Sequence, residues 1–119
     1  MTEELNAIAA TPGITGLCLH RGNELLHHNL PPAMGTATAT DLCHAVAGAF
    51  SAYAEAGRPI TQGYFHFPEG GVLVLRTGSP TGTSEREFFL TFLIQNQSAI
   101  PEMLAPARAF LTRQTRLPG

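Results

Sequence analysis

The chain has 119 residues, 44% hydrophobic and 13% charged, with a formal net charge of −2. That length suits one domain with core enough to fold without disulfides or metal, and the composition excludes a disordered chain. All the basic residues are arginine and none adjoins another, so the basic cluster that nucleic acid or an anionic membrane surface requires is missing.

Thr2 is the expected N-cap of a short first helix, with Glu3 and Glu4 in its first turn, where the helix dipole favours acid. Leu5, Ile8 and Ala9 form its apolar stripe, and Pro12-Gly13 ends it. An acidic start where a secretory signal would be basic makes export unexpected and the cytoplasm the expected location. No apolar run approaches the ~20 residues of a membrane span.

Ile14 to His20 reads as a strand, and a second follows Arg21-Gly22-Asn23-Glu24 as far as about Leu30. Gly-Asn at the centre of a two-residue loop is a hairpin signal. The implied register sets Arg21 opposite Glu24, His20 opposite Leu25 and Cys18 opposite His27. After a Pro/Gly/Ala/Thr loop, Thr40 is the expected N-cap of the strongest helix, which reaches about Ala56. Gly57 and Pro59 stop it.

Thr61 to Pro68 is predicted as a strand, Glu69-Gly70-Gly71 as a tight turn and Val72 to Thr77 as the hairpin partner. Gly78 to Arg86 is a polar loop, and Glu87 to Gln95 a long strand. Both alternating faces of that strand are apolar: Phe88, Leu90, Phe92 and Ile94 on one, Phe89 and Leu93 on the other. Such a strand belongs near the centre of a sheet covered by helices on both faces. Ser98 is the expected cap of a last helix reaching roughly Gln114, with Arg108 and Arg113 toward its negative end. Pro106 predicts either a kink or a later start. Short turns between strands imply an antiparallel sheet.

The middle helix has two stripes where a monomer needs one. Leu42, Val46, Phe50 and Tyr53 form the expected packing surface for the sheet. Ala45, Gly48, Ala49, Ala52 and Ala56 form a second face of small residues, suited to the close approach of another helix. Alanines on a solvated helix are also simply good helix formers, but a mid-helix glycine costs roughly 1 kcal/mol unless close approach offsets it. A surface for self-association is therefore expected here.

The pattern resembles the Roadblock/LC7 family over about residues 3–114. Leu5 and Ile8 lead into Thr11-Pro12-Gly13-Ile14-Thr15-Gly16, similar to that family's helix-to-strand junction. A hairpin, a small-residue helix, a glycine-containing third strand, Gly71-Val72-Leu73-Val74-Leu75, an apolar fifth strand and a closing helix follow in the family's order. The resemblance implies an α+β, profilin-like or longin-like three-layer α/β/α fold, ordered α-β-β-α-β-β-β-α around a five-stranded antiparallel sheet. It also implies a homodimer through the middle helix and third strand, and a non-enzymatic role as an adaptor or as a bacterial regulator of a small Ras-like GTPase. The turn at Arg21 to Glu24 departs from the acidic Asp-x-Asp-Gly-like turn of many members, which bears on subfamily and partner.

Catalytic signatures do not accompany this pattern. Gly78-Ser79-Pro80-Thr81-Gly82-Thr83-Ser84 has the wrong glycine spacing for a phosphate loop and no lysine. GxGxxG, GxSxG, HExxH and CxxC do not occur, so no enzyme and no cofactor is expected. Cys18 and Cys43 read as buried free thiols. Cys18, His20 and His27 are zinc-capable types on one expected strand pair, with Cys43 or His44 as a possible fourth. The plainer reading is polar residues at a sheet margin.

The whole chain, 1–119, is thus expected to be one such domain. Its expected dimer and partner surface is Ala45, Gly48, Ala49, Ala52 and Ala56 with the edge strand residues Gln62, Tyr64, Phe65, His66 and Phe67. A small-ligand sensor of profilin- or PAS-like shape is the alternative, and it requires a buried cavity with converging polar groups.

Overall fold

The computed structural model describes residues 2–21, 24–58, 60–68, 70–77 and 88–116. The elements are α1 (Thr2–Ala9), β1 (Ile14–Arg21), β2 (Glu24–Asn29), α2 (Gly35–Glu55), β3 (Gln62–Phe67), β4 (Gly70–Arg76), β5 (Phe89–Ile94) and α3 (Ile100–Arg116). A short 3-10 turn, Gln97–Ala99, leads into α3. The strands form one antiparallel sheet in the order β2-β1-β5-β4-β3. The apolar-on-both-faces strand, β5, lies at its centre as the pattern predicts.

Each face of β5 meets a different helix layer. Leu90, Phe92 and Ile94 pack with Leu17, Leu19, Leu73 and Leu75 against Leu5 and Ile8 of α1 and Met103, Ala107 and Phe110 of α3. Phe89 packs with Val72 and Val74 against Val46 and Phe50 of α2. The result is three layers, α2 on one face and the terminal helices on the other.

Glycines are required where the chain runs tightest. Gly13 has φ of 96°, and a Cβ there would stand 2.9 Å from that of Ala99. Its carbonyl accepts from the backbone N–H of Gln95 at 2.8 Å, tying the α1–β1 turn to the end of β5. Gly57, at φ 76°, closes α2: its N–H donates to Ala54 and that of Arg58 to Tyr53, satisfying the last carbonyls of the helix.

Several boundaries differ from those read in the sequence. α2 begins at Gly35, not at Thr40, and Met34 at its N-cap makes no side-chain bond. Ala39 and Cys43, one turn apart, are both buried against Cys18, so tertiary burial extends the helix through a Thr-rich stretch that propensity alone disfavours. Ser98 lies inside the 3-10 turn that leads into α3, and Asn96 caps that turn: its Oδ1 accepts from the Ser98 N–H at 3.0 Å. α3 starts at Ile100 and runs through Pro106, which excludes the later start. Gly70 and Gly71, expected in a turn, are paired strand residues opposite Phe67 and His66. The expected loop Gly78 to Arg86, Glu87, and the turn residues Gly22, Asn23, Pro59 and Glu69 lie outside the described residues.

The hairpin register also departs from the expected one. Arg21 faces Glu24 and His20 faces Leu25, but Leu19 then faces His27 and Cys18 faces His28. The pairing skips Leu26, an extra residue in β2, and a bulge of this kind moves every residue beyond it to the opposite face.

Candidate interaction surface

β3 lies at the sheet edge, hydrogen-bonded to β4 on one side only. Among the described residues no other strand takes up its outward backbone groups, which makes it a template for pairing with another chain. Side chains alternate along it. Gly63, Phe65 and Phe67 face the α2 side, opposite Val74, Val72 and Gly70, while Gln62, Tyr64 and His66 face α1 and α3.

The five strand residues expected at the surface therefore split. Gln62 accepts a hydrogen bond from the Arg108 guanidinium of α3. Tyr64 is partly buried against the α1–α3 core and stacks loosely on His66, ring centroids 6.4 Å apart. Its ring lies over Gly71, whose missing side chain makes room for it. Phe65 and Phe67 turn the other way and remain 37% and 49% exposed. These two share the sheet face that α2 covers, and Gln62, Tyr64 and His66 lie on the opposite face.

Along α2, Ala45, Gly48, Ala52 and Ala56 are exposed and Ala49 is partly buried. A Cβ at Gly48 would meet nothing within 4 Å. Among the described residues most of the small-residue face is thus left uncovered. Tyr53, expected to pack on the sheet, is 50% exposed instead. The buried stripe is Ala39, Cys43, Val46 and Phe50. Phe50 already reaches Gly63 on the edge strand, so one turn later the helix has run past the sheet. Tyr53 stands beside Ala49 and Ala56 at helical spacing, an aromatic on the small face that periodicity alone assigned to the core.

A polar cluster lies beneath the first half of α2. His20, wholly buried, stacks on Phe89 with centroids 5.1 Å apart, and its Nε2 is 2.9 Å from Thr91 Oγ1. Cys18 and Cys43 are both buried and free. Their side chains hydrogen-bond each other, which, with burial, pushes the Cys18 thiol well above the ordinary range. The same bond pulls Cys43 down; burial opposes that, and a hydrogen bond from His20 adds to it. The zinc-capable set Cys18, His20 and His27 is not assembled. The β2 bulge places His27 opposite Leu19, on the α1–α3 face, while Cys18 and His20 face α2. Among the described residues no group of three or more His, Cys, Asp or Glu could hold a metal.

A groove of about 510 Å³, open to solvent, runs from Met34 at the start of α2 past Thr15, Val72 and Leu93 to Phe67. It continues the exposed aromatic edge and offers no enclosed chamber of the kind a ligand sensor requires. No helix among the described residues is long and apolar enough to cross a membrane.

No protein-family model and no curated protein matches the sequence. Solved structures do match in shape. An MglB with a tetrameric arrangement superposes with a TM-score of 0.74 at 14% identity, over 96% of this chain and 86% of that one. The gliding protein MglB of Thermus thermophilus gives 0.72 at 17% identity, over 96% and 87%. A Roadblock/LC7 domain from Streptomyces avermitilis gives 0.63 at 14%, over 94% and 98%. TM-scores of 0.63 to 0.74 over 94–96% of this chain agree: the chain has the Roadblock/LC7 fold.

Proposed function

We propose that the chain is a non-catalytic adaptor that pairs with a second copy of itself through β3 and α2 and regulates a small Ras-like GTPase. One observation carries the pairing: Phe65 and Phe67 stand exposed on an edge strand whose outer side no described strand occupies, on the same side of the sheet as α2, whose small residues Ala45, Gly48, Ala52 and Ala56 are also exposed. Burying each half-exposed phenylalanine contributes on the order of 1 kcal/mol, and a two-fold interface counts every such contact twice. Strand pairing satisfies the edge backbone at the same time. The assembly named for the MglB structure supports self-association, and the resemblance to the Roadblock/LC7 family, whose bacterial members bind Ras-like GTPases, supports a GTPase as the partner class.

The experiment is titration of purified small Ras-like GTPases, loaded with GDP or with a non-hydrolysable GTP analogue, while binding and nucleotide turnover are followed. Nucleotide-dependent binding supports the reading, with the hydrolysis or exchange rate telling activator from scaffold. Indifference to both loaded forms across the panel contradicts it. Self-association is measured separately, so either half of the proposal fails on its own.

A further inference from the structure

Cys18 and Cys43 are the only cysteines in the chain. They come from different elements, β1 and α2, and pack with Ala39 in a wholly buried cluster. The two elements approach within 8 Å at Cα level, where small side chains allow close packing, and the two thiols shift each other's proton affinity in opposite directions. His20, two residues from Cys18 on the same face of β1, also favours the Cys43 thiolate, so that sulfur has polar neighbours in an otherwise apolar layer. Leu25, Leu30 and Leu42 close the cluster around them. The proposed surface on β3 and α2 uses neither thiol.

We propose that Cys18 and Cys43 are a modification site: a thiol pair that a peroxide oxidises to an intramolecular disulfide, pinning α2 to β1. In the first step the Cys43 thiolate attacks one oxygen of hydrogen peroxide. The O–O bond breaks, Cys43 becomes a sulfenic acid, and the departing hydroxide takes up a proton to leave as water. In the second step Cys18 attacks the Cys43 sulfur, the S–O bond breaks, and hydroxide leaves with the Cys18 proton as a second water. Two thiols and one peroxide give one disulfide and two waters. The direction follows from the hydrogen bonds, since Cys18 and His20 stabilise the thiolate on Cys43. Hydrogen peroxide is small enough to enter through opening of the first turns of α2, where Gly35, Thr36, Ala37 and Thr38 are exposed. In a reducing compartment such a bond is transient, as redox-sensing disulfides are.

The test treats the folded full-length chain with hydrogen peroxide and follows intact mass and non-reducing peptide maps. The expected product is lighter by two hydrogens, has lost both thiols together, migrates as a single chain, and regains both thiols with dithiothreitol. Its melting temperature is expected to rise by roughly 10 °C, because a cross-link between distant positions restricts the unfolded chain. In Cys18→Ala, dimedone is expected to trap a sulfenic acid on Cys43. The wild-type result decides the matter even if that variant does not fold. Retention of both thiols at peroxide doses that fully oxidise glutathione would overturn the proposal. So would disulfides between chains, or separate over-oxidation of each cysteine.

Discussion

The Tyr64 ring covers Gly71 so closely that a Cβ at position 71 would stand 2.7 Å from ring carbon Cε1. Tyr64 itself pairs with Leu73 across β3 and β4. The ring therefore lies diagonally along the partner strand and holds the edge strand against the core, and alternation then turns Phe65 to the other face.

Gly71→Ala is expected to displace that ring and destabilise the fold by about 1–3 kcal/mol, the usual cost of overpacking. Chemical denaturation measures it. In a Tyr64→Ala background the same change should lose most of its effect, since contacting residues couple in a double-mutant cycle. Equal costs in both backgrounds would show that the clash is elsewhere.

Gly13→Ala is expected to cost more than a glycine-to-alanine change in a helix. It combines φ of 96° with a Cβ 2.9 Å from that of Ala99, and strain of this kind runs to about 1–3 kcal/mol before any clash. Thermal or urea unfolding reads the loss. Gly48→Ala is the control of opposite sign: nothing lies within 4 Å of a Cβ placed there, so in the isolated chain it should stabilise α2 by about 1 kcal/mol.

Thr91→Val keeps the volume of a buried side chain and removes the oxygen 2.9 Å from His20 Nε2. The expected cost is about 1–3 kcal/mol, the penalty for stripping a hydrogen bond from a buried polar group. An unchanged denaturation midpoint would mean that the bond adds nothing to the stability of the core.

The architecture was legible because β5 carries apolar residues on both faces, which only a central strand under two helix layers explains. The Pro12-Gly13 turn and the Gly57 cap were equally plain, since positive φ selects glycine. Three features were not legible. The bulge at Leu26 leaves no composition signal, yet it moved His27 across the sheet and undid the expected set of ligands. The true start of α2 depends on Ala39 packing under Cys43 against Cys18, a tertiary contact. Tyr53 continues the buried stripe by spacing but falls beyond the sheet edge, and periodicity carries no information about where a sheet ends. For the same reason the edge strand was recognised while the split of its side chains between two faces was not used.

The most direct measurement of the central claim is light scattering coupled to size exclusion at tens of micromolar, on wild type, Ala52→Arg and Phe65→Glu. The expected wild-type mass is at least twice 12.7 kDa, with the folded variants shifted toward the single chain. A wild type that runs as one chain across that range would contradict self-pairing through β3 and α2.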